Sequence, residues 1–440
     1  MSPLALLRPA GRHGFGRPVW GVLIAMLTLA VTTGSAWAGD DLFAGVAKLD
    51  AARLVDLVET RNAGLEAARA AAEIAAFRIE PAGSLDDPMV SYMLAPRTIG
   101  SDLGGRHGVE VSQALPWPGT LSARKAQASA EAESAQDDAH ARVLEVVATT
   151  KSAFAEWTFV HAALSVNQQH QAHLRSLKAA TERSYAAGAA RQQDALKAAM
   201  ELARMENEAL MLESERRAVQ ARINALLVRD ASAALPPPTS FKSFSALPPL
   251  DRLEEAALAR HPQLRSREAA MAAGDAGIAV ARKAFYPDVK LSAGYNEMWD
   301  QPEMRPSVGV SLSVPLQWGR KQAALDGARA ARRQAEWMLI DQTAMLRARL
   351  AEAYARADQA GRSVALYRDR LLPLADAAYS ASLADYQNGR GDFDSVIAAA
   401  RARLDQQLGL ERALADQFRA RAALEEAAGG PLSETPEARR

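Results

Sequence analysis

Tyr185-Ala186-Ala187-Gly188 and Tyr386-Gln387-Asn388-Gly389 each interrupt a long alanine-rich run, about 200 residues apart. Three more landmarks recur at offsets of 199 to 201. Leu49-Asp50 matches Leu250-Asp251, Arg61-Asn62-Ala63-Gly64-Leu65 matches Arg260-His261-Pro262-Gln263-Leu264, and Leu115-Pro116 matches Val314-Pro315. Four landmarks at offsets of 199 to 201 mean that the chain is written twice. The join, Pro236 to Pro249, is too rich in proline to be helical and reads as a linker.

Between Gly119 and Pro236 there is no proline and one glycine, Gly188, in a stretch rich in Ala, Glu, Arg, Gln and Leu. This predicts two long helices with a turn at the glycine. A helix filling Gly119 to Gly188 would be about 100 Å long. The second half repeats the pattern from Gly319 to Gly389, with Pro373 as the expected kink. Leu346, Leu350, Ala353, Ala357, Ala360, Val364, Tyr367, Leu371, Leu374 and Ala378 alternate gaps of four and three, a heptad seam that predicts coiled-coil packing. Read alone, such helices would also suit a soluble filament.

Strand patterns argue against the filament. Val308, Val310, Leu312 and Val314 alternate with Gly309, Ser311 and Ser313, and Val289, Leu291, Ala293 and Tyr295 alternate with small or polar residues. Met89 to Leu94 and Val109 to Leu115 are a weaker version in the first half. This alternation suits a strand with lipid on one side and water on the other, and equally a half-buried periplasmic hairpin. Two hairpins supply four strands, whereas closed membrane barrels begin at about eight. If the strands span a membrane, chains must pool them, and three copies would give twelve.

The expected layout is therefore mainly α with a small membrane β-barrel contribution. It comprises a leader at 1–38; a first repeat at 39–235, with strands at 87–97 and 107–116 and a helical hairpin at 120–229; and a linker at 236–249. A second repeat follows at 250–428, with strands at 287–297 and 305–316 and a hairpin at 320–428, then a disordered tail at 429–440. The leader reading rests on Arg8, Arg12 and Arg17, the apolar core Val19 to Val31, and the small residues of Ala36-Trp37-Ala38, which place cleavage near Ala38. Its removal leaves 49 basic against 52 acidic residues, a net charge of −3. No later run of about 18 apolar residues offers a transmembrane helix.

Composition excludes several chemistries. There is no cysteine, hence no disulfide, zinc–thiolate site, iron–sulfur cluster or thiol nucleophile. No basic block marks a nucleic-acid footprint. His-Glu-x-x-His, Gly-x-Ser-x-Gly, the P-loop and a dinucleotide fingerprint are all missing, so neither an enzyme nor a cofactor is expected. Met89, Met93, Met298 and Met304 lie on or beside the strands, where thioethers could meet Cu(I), although lipid-facing or loop methionines are commoner. His170 and His173, among Gln168, Gln169 and Gln171, read as a wet helix surface rather than a metal site.

The duplicated order of helix, strand pair, long helix, Tyr-x-x-Gly turn and returning helix resembles the TolC-type outer-membrane efflux family over residues 45 to 428. The resemblance implies a homotrimer with an outer-membrane 12-stranded β-barrel in lipid and a periplasmic α-barrel. It also implies a periplasmic membrane-fusion adaptor and an inner-membrane pump, RND type, as partners. It places Tyr185, Gly188 and Asp194 at one periplasmic tip turn, and Tyr386, Gly389, Arg390, Asp392 and Asp394 at the other, where the pore is gated and the adaptor docks. By sequence order Asp194 matches Ser395. Gln113 to Arg124, containing Pro116, Trp117, Pro118 and Gly119, is similar to the strand–helix junction of heavy-metal branches, although Thr120 stands where a basic residue usually follows the glycine. Pro315, Trp318 and Gly319 are its counterpart. The expectation is a passive export conduit for heavy-metal cations. Drug efflux, type I secretion and a poreless periplasmic coiled-coil scaffold or adaptor are the alternatives.

Overall fold

The computed structural model describes residues 42–96, 105–188, 191–241, 244, 246–297, 299 and 301–432. The leader at 1–38, residues 433–440 of the tail and Met298 lie outside the described residues. The first half runs α1 (Ala51–Arg61), α2 (Ala63–Phe77), α3 (Ile79–Gly83), β1 (Met89–Ala95), β2 (Arg106–Leu115), α4 (Thr120–Ala186) and α5 (Gln192–Leu226). The second runs α6 (Leu250–Arg260), α7 (Pro262–Lys283), β3 (Asp288–Asn296), a single 3-10 turn (Pro302–Met304), β4 (Pro306–Ser313), α8 (Trp318–Leu366), a π-turn (Tyr367–Leu371), α9 (Leu372–Gln387) and α10 (Phe393–Ala428). The protein is mainly helical, with few strands.

Capping residues set corresponding helix starts. Asn62 accepts from the Leu65 backbone N–H at 3.1 Å to open α2, and His261 Nδ1 accepts from Gln263 N–H at 3.2 Å to open α7, with Pro262 in the first helical turn. Leu65 and Leu264, one turn on, are both buried.

The α8 seam is buried at Leu346, Leu350, Ala353, Ala357, Ala360 and Val364, and its first four members pack with Leu253, Ala257, Leu264 and Leu424. Beyond Val364 the expected seam fails. Leu374 and Ala378 are exposed, and Ala375 is buried instead. The cause is the π-turn, which inserts one residue and moves the buried stripe by one position. It sits just before Pro373, which has no N–H to donate and whose ring crowds the preceding turn. Tyr367 in the π-turn lies against Gly409 of α10, where a Cβ would be 2.4 Å from the ring. Only glycine leaves room there.

The proline-rich join is a packed strap. Leu49 donates to Pro237 O and accepts from Thr239 N–H, both at 2.8 Å, and Trp157 Nε1 donates to Pro236 O at 3.1 Å. Phe241 and Phe244 close on Phe418 of α10.

The strands form one antiparallel sheet in the order β1-β2-β3-β4, so the two halves are joined through β2 and β3. Register aligns Val90 with Val111, Val111 with Ala293, and Ala293 with Val308. One face therefore carries Val90, Tyr92, Val109, Val111, Leu291, Tyr295, Val308, Val310 and Leu312, all exposed, reaching 88% at Val308. The other carries Ser91, Glu110, Ser112, Lys290, Ser292, Gly294, Ser307, Gly309 and Ser311, with Met89 and Met93 as its large apolar exceptions. Among the described residues no helix is long and apolar enough to cross a membrane.

Candidate functional site

The two Tyr-x-x-Gly turns come together at one end of the helical hairpins. Gly188 (φ +72°) and Gly389 (φ +69°) end their helices in the left-handed region, with Gly188 N–H donating to Tyr185 O and Gly389 N–H to Tyr386 O. A core of Leu174, Ala198, Met205, Phe393, Ile397 and Leu404 packs the hairpins against each other behind the turns.

At this tip the anticipated acids have different surroundings. Asp194, in the first turn of α5, is buried and hydrogen-bonds with the hydroxyl of Tyr386 from the other hairpin. Burial, and then the Asp194 charge, raises the Tyr386 phenol above its ordinary pKa. The Tyr386 ring packs edge-on to Phe393, with centroids 5.3 Å apart. Asp392 is the N-cap of α10: its carboxylate accepts from Ser395 N–H at 2.7 Å, and that bond holds its pKa below the usual value. Asp394 pairs with Lys197 of α5 at 2.6 Å. Arg390 pairs within its own turn with Asp385 at 3.3 Å, and Tyr185 is half exposed.

Burial also corrects the correspondence between the turns. Asp194, Ala198, Glu201 and Met205 are buried on α5, and Phe393, Ile397, Ala400 and Leu404 repeat that spacing on α10, where Val396 is buried as well. The position equivalent to Asp194 in packing is Phe393 rather than Ser395. Asp392 and Asp394 flank it and turn toward a cap and a lysine.

Sequence reasoning missed a further pair on that stripe. Glu201 is buried, and its Oε2 accepts from Arg401 Nε at 2.9 Å and from a second guanidinium nitrogen of the same residue. An acid at a seam position was the available signal, since a buried carboxylate needs a partner. The wet-surface reading of His170 is overturned as well. His170, Gln171 and Asn167 are buried, and Asn167 Nδ2 donates to Met205 O at 3.1 Å while Gln171 Nε2 donates to Asn167 Oδ1 at 2.8 Å. Asn167 and Gln171 form a polar seam between α4 and α5, while Gln168, Gln169 and His173 are exposed. Among the described residues no group of three or more His, Cys, Asp or Glu side chains could hold a metal ion.

At the strand–helix junctions, Trp117 stacks on Tyr286 with centroids 4.9 Å apart, and its backbone N–H donates to Asp288 at 3.1 Å. Lys283 donates to Pro118 O at 3.2 Å. Gly119 is left-handed (φ +85°) and caps α4. Its counterpart differs. Trp318 and Gly319 are already inside α8, Trp318 packs near Phe285, and Gly319 has open space around it. Pro116 and Pro315 each lie, half buried, between strand and helix.

Residues 253–430 match the family model described as outer membrane efflux protein. The second half of the chain is thus similar to outer membrane efflux proteins. The fold agrees over most of its length with solved outer membrane channels. The channel OprN shares 21% identity at a TM-score of 0.76, with 87% of this chain and 90% of that chain covered. CusC, solved in work on folding and transmembrane channel formation, shares 17% identity at 0.75, covering 87% and 93%. The open-state MtrE channel of Neisseria gonorrhoeae shares 17% identity at 0.74, covering 87% and 89%. Comparison with curated protein sequences finds no match. Outer membrane efflux proteins are non-enzymatic, trimeric channels that work with adaptors and inner-membrane pumps.

Proposed function

We propose that three copies of this chain assemble the outer-membrane channel of a tripartite efflux system and conduct substrate passively to the exterior. The observation that carries this reading is the sheet. Its exposed apolar face is far too large to be left in water, and β1 and β4 each present an edge with no partner strand among the described residues. Closing β4 of one copy on β1 of the next satisfies both edges, and three copies make a twelve-stranded barrel with the apolar face toward lipid. The two repeats, 39–235 and 250–428, then each contribute one hairpin to a periplasmic α-barrel, after a leader is cleaved near Ala38. The paired Tyr-x-x-Gly turns form the gate and the adaptor-docking tip, with Asp194 and Tyr386 as the link that holds it.

Heavy-metal cations are the proposed cargo, on the resemblance of the Pro116–Gly119 junction to heavy-metal branches. Drug efflux is the second reading, favoured by Thr120 in place of the basic residue. Both are tested by complementing a channel-deleted strain and comparing its tolerance to copper, silver and zinc with its tolerance to dyes and antibiotics.

The conduit is tested by planar-bilayer conductance of detergent-extracted protein, with mass determined on the same sample. Discrete single-channel steps from a trimer support it, and a water-soluble species that never inserts removes it. Val310→Lys should block outer-membrane assembly, at a cost of about 2–4 kcal/mol near the membrane midplane. Ser311→Lys, one residue along and on the other face, should assemble.

A further inference from the structure

We propose that Glu201, Arg401 and His170 form a proton-responsive clamp that holds the two helical hairpins together behind the tip. The inference rests on the channel reading above, and it assigns a positioning role to residues that neither the turn motifs nor the tip cleft includes.

Glu201 lies seven residues beyond Asp194 on the buried stripe of α5, about 10 Å farther from the turn. Its carboxylate is bound through one oxygen by Arg401 of α10, so the pair ties the first hairpin to the second. The other oxygen, Oε1, makes no hydrogen bond; its near neighbour is Arg204, 3.7 Å away as an ion pair. His170 of α4 is also buried, and its Nε2 makes no hydrogen bond. Two buried polar atoms left without bonds are costly in a packed helical seam. A site that changes protonation state during function accounts for both.

Charge around His170 comes from every side. His173 stands on its own helix, Glu201 and Arg204 on α5, and Arg403 on α10, with Arg401 acting through Glu201. From α9, Tyr379 lines the same small cavity and Asp376 holds Arg403 at 2.6 Å. Burial lowers the His170 pKa below 6.5; Glu201 opposes the shift, while His173, Arg403 and Arg204 add to it. The clamped state therefore binds the proton less readily than a state in which His170 is solvated. The stability this gives the clamp is complete above about pH 6.5 and is lost as pH falls toward the clamped-state pKa. Acid should release the clamp, because an imidazolium adds a positive charge among arginines that compete for one carboxylate.

The test compares wild type, His170→Gln, Glu201→Gln and the exchange Glu201→Arg/Arg401→Glu in bilayers at about pH 7.5 and about pH 5.5. Wild type should gain open time about fivefold on acidification, His170→Gln should lose that response, and Glu201→Gln should stay open at both values. The exchanged pair should restore closure at the higher pH, which a general loss of packing would not do. Because the chain has no cysteine, Glu201→Cys/Arg401→Cys supplies the only thiols, and a reducible bifunctional thiol crosslinker that spans the two lost side chains should hold the channel shut at both pH values until reductant is added.

Amide hydrogen exchange of α5 in detergent provides a readout that needs no conductance. Acid should accelerate it in wild type and leave it unchanged in His170→Gln. Failure of every sample to conduct would count against the channel and leave exchange to decide the clamp. Conducting channels whose acid response survives His170→Gln, or α5 exchange indifferent to that substitution, would overturn the clamp alone.

Discussion

The buried stripe of α5 reads Asp194, Ala198, Glu201, Met205, and that of α10 reads Phe393, Ile397, Ala400, Leu404. The spacing is the same and the chemistry is not. On α10 the stripe is held by apolar burial alone, which is indifferent to small rotations. On α5 two acids are interleaved, and each is joined to a residue of the other hairpin, Asp194 to Tyr386 and Glu201 to Arg401. Duplication supplied one packing pattern, and the two copies divided the work. One provides a smooth surface, and the other provides directional bonds that can be made and broken.

The largest effect is expected from giving α10 the chemistry of α5. Phe393→Asp replaces a buried ring with a carboxylate in the apolar core behind the turns, and should cost about 3–5 kcal/mol. Thermal unfolding in detergent measures it, and a loss below 1 kcal/mol would mean that the two stripes are interchangeable. A smaller effect is expected from weakening α5. Asp194→Ala should cost about 1–3 kcal/mol, because it leaves the half-buried Tyr386 hydroxyl short of a partner. In a double-mutant cycle with Tyr386→Phe most of that loss should be shared, which separates the bond from the packing of Tyr386 on Phe393.

Much of this arrangement was legible in the sequence, and the parts that were not share a cause. The helical class, the presence of strands and the α8 seam up to Val364 follow from periodicity, which reports the face a residue presents. Periodicity does not report what lies opposite. Counting residues from glycine to glycine therefore matched Asp194 with Ser395, whereas packing matches it with Phe393, since the buried stripe begins six residues after Gly188 but only four after Gly389, where the Arg390 and Gly391 N–H groups close on Asp385 O. The seam beyond Val364 failed for a related reason: Pro373 announces an interruption, but whether the helix bends or takes an extra residue depends on Tyr367 finding Gly409 across the interface. His170 was misread because its neighbours in sequence are glutamines; Gln168 and Gln169 are exposed, and only the fold shows that Asn167 and Gln171 bond inward beside it.

The smallest of these effects tests the same asymmetry at the opposite end of the hairpins. Gly119 and Gly319 occupy matching places in the sequence, yet Gly119 caps α4 at φ +85° and Gly319 sits in the first turn of α8 with nothing around it. An L-residue in the left-handed region costs about 1–2 kcal/mol, and a Cβ on Gly119 would also lie 3.1 Å from Lys283 Nζ, displacing the lysine that bonds Pro118 O. Gly119→Ala should therefore destabilise by about that amount. Gly319→Ala should stabilise by up to about 1 kcal/mol, because alanine loses less backbone entropy in a helix and meets no neighbour. Opposite signs from one substitution at two matched glycines, read as shifts in unfolding midpoint, would establish that the strand–helix junctions differ in conformation and not only in sequence. Equal signs would mean that the two junctions adopt the same turn, and would place the divergence between the repeats at the tip alone.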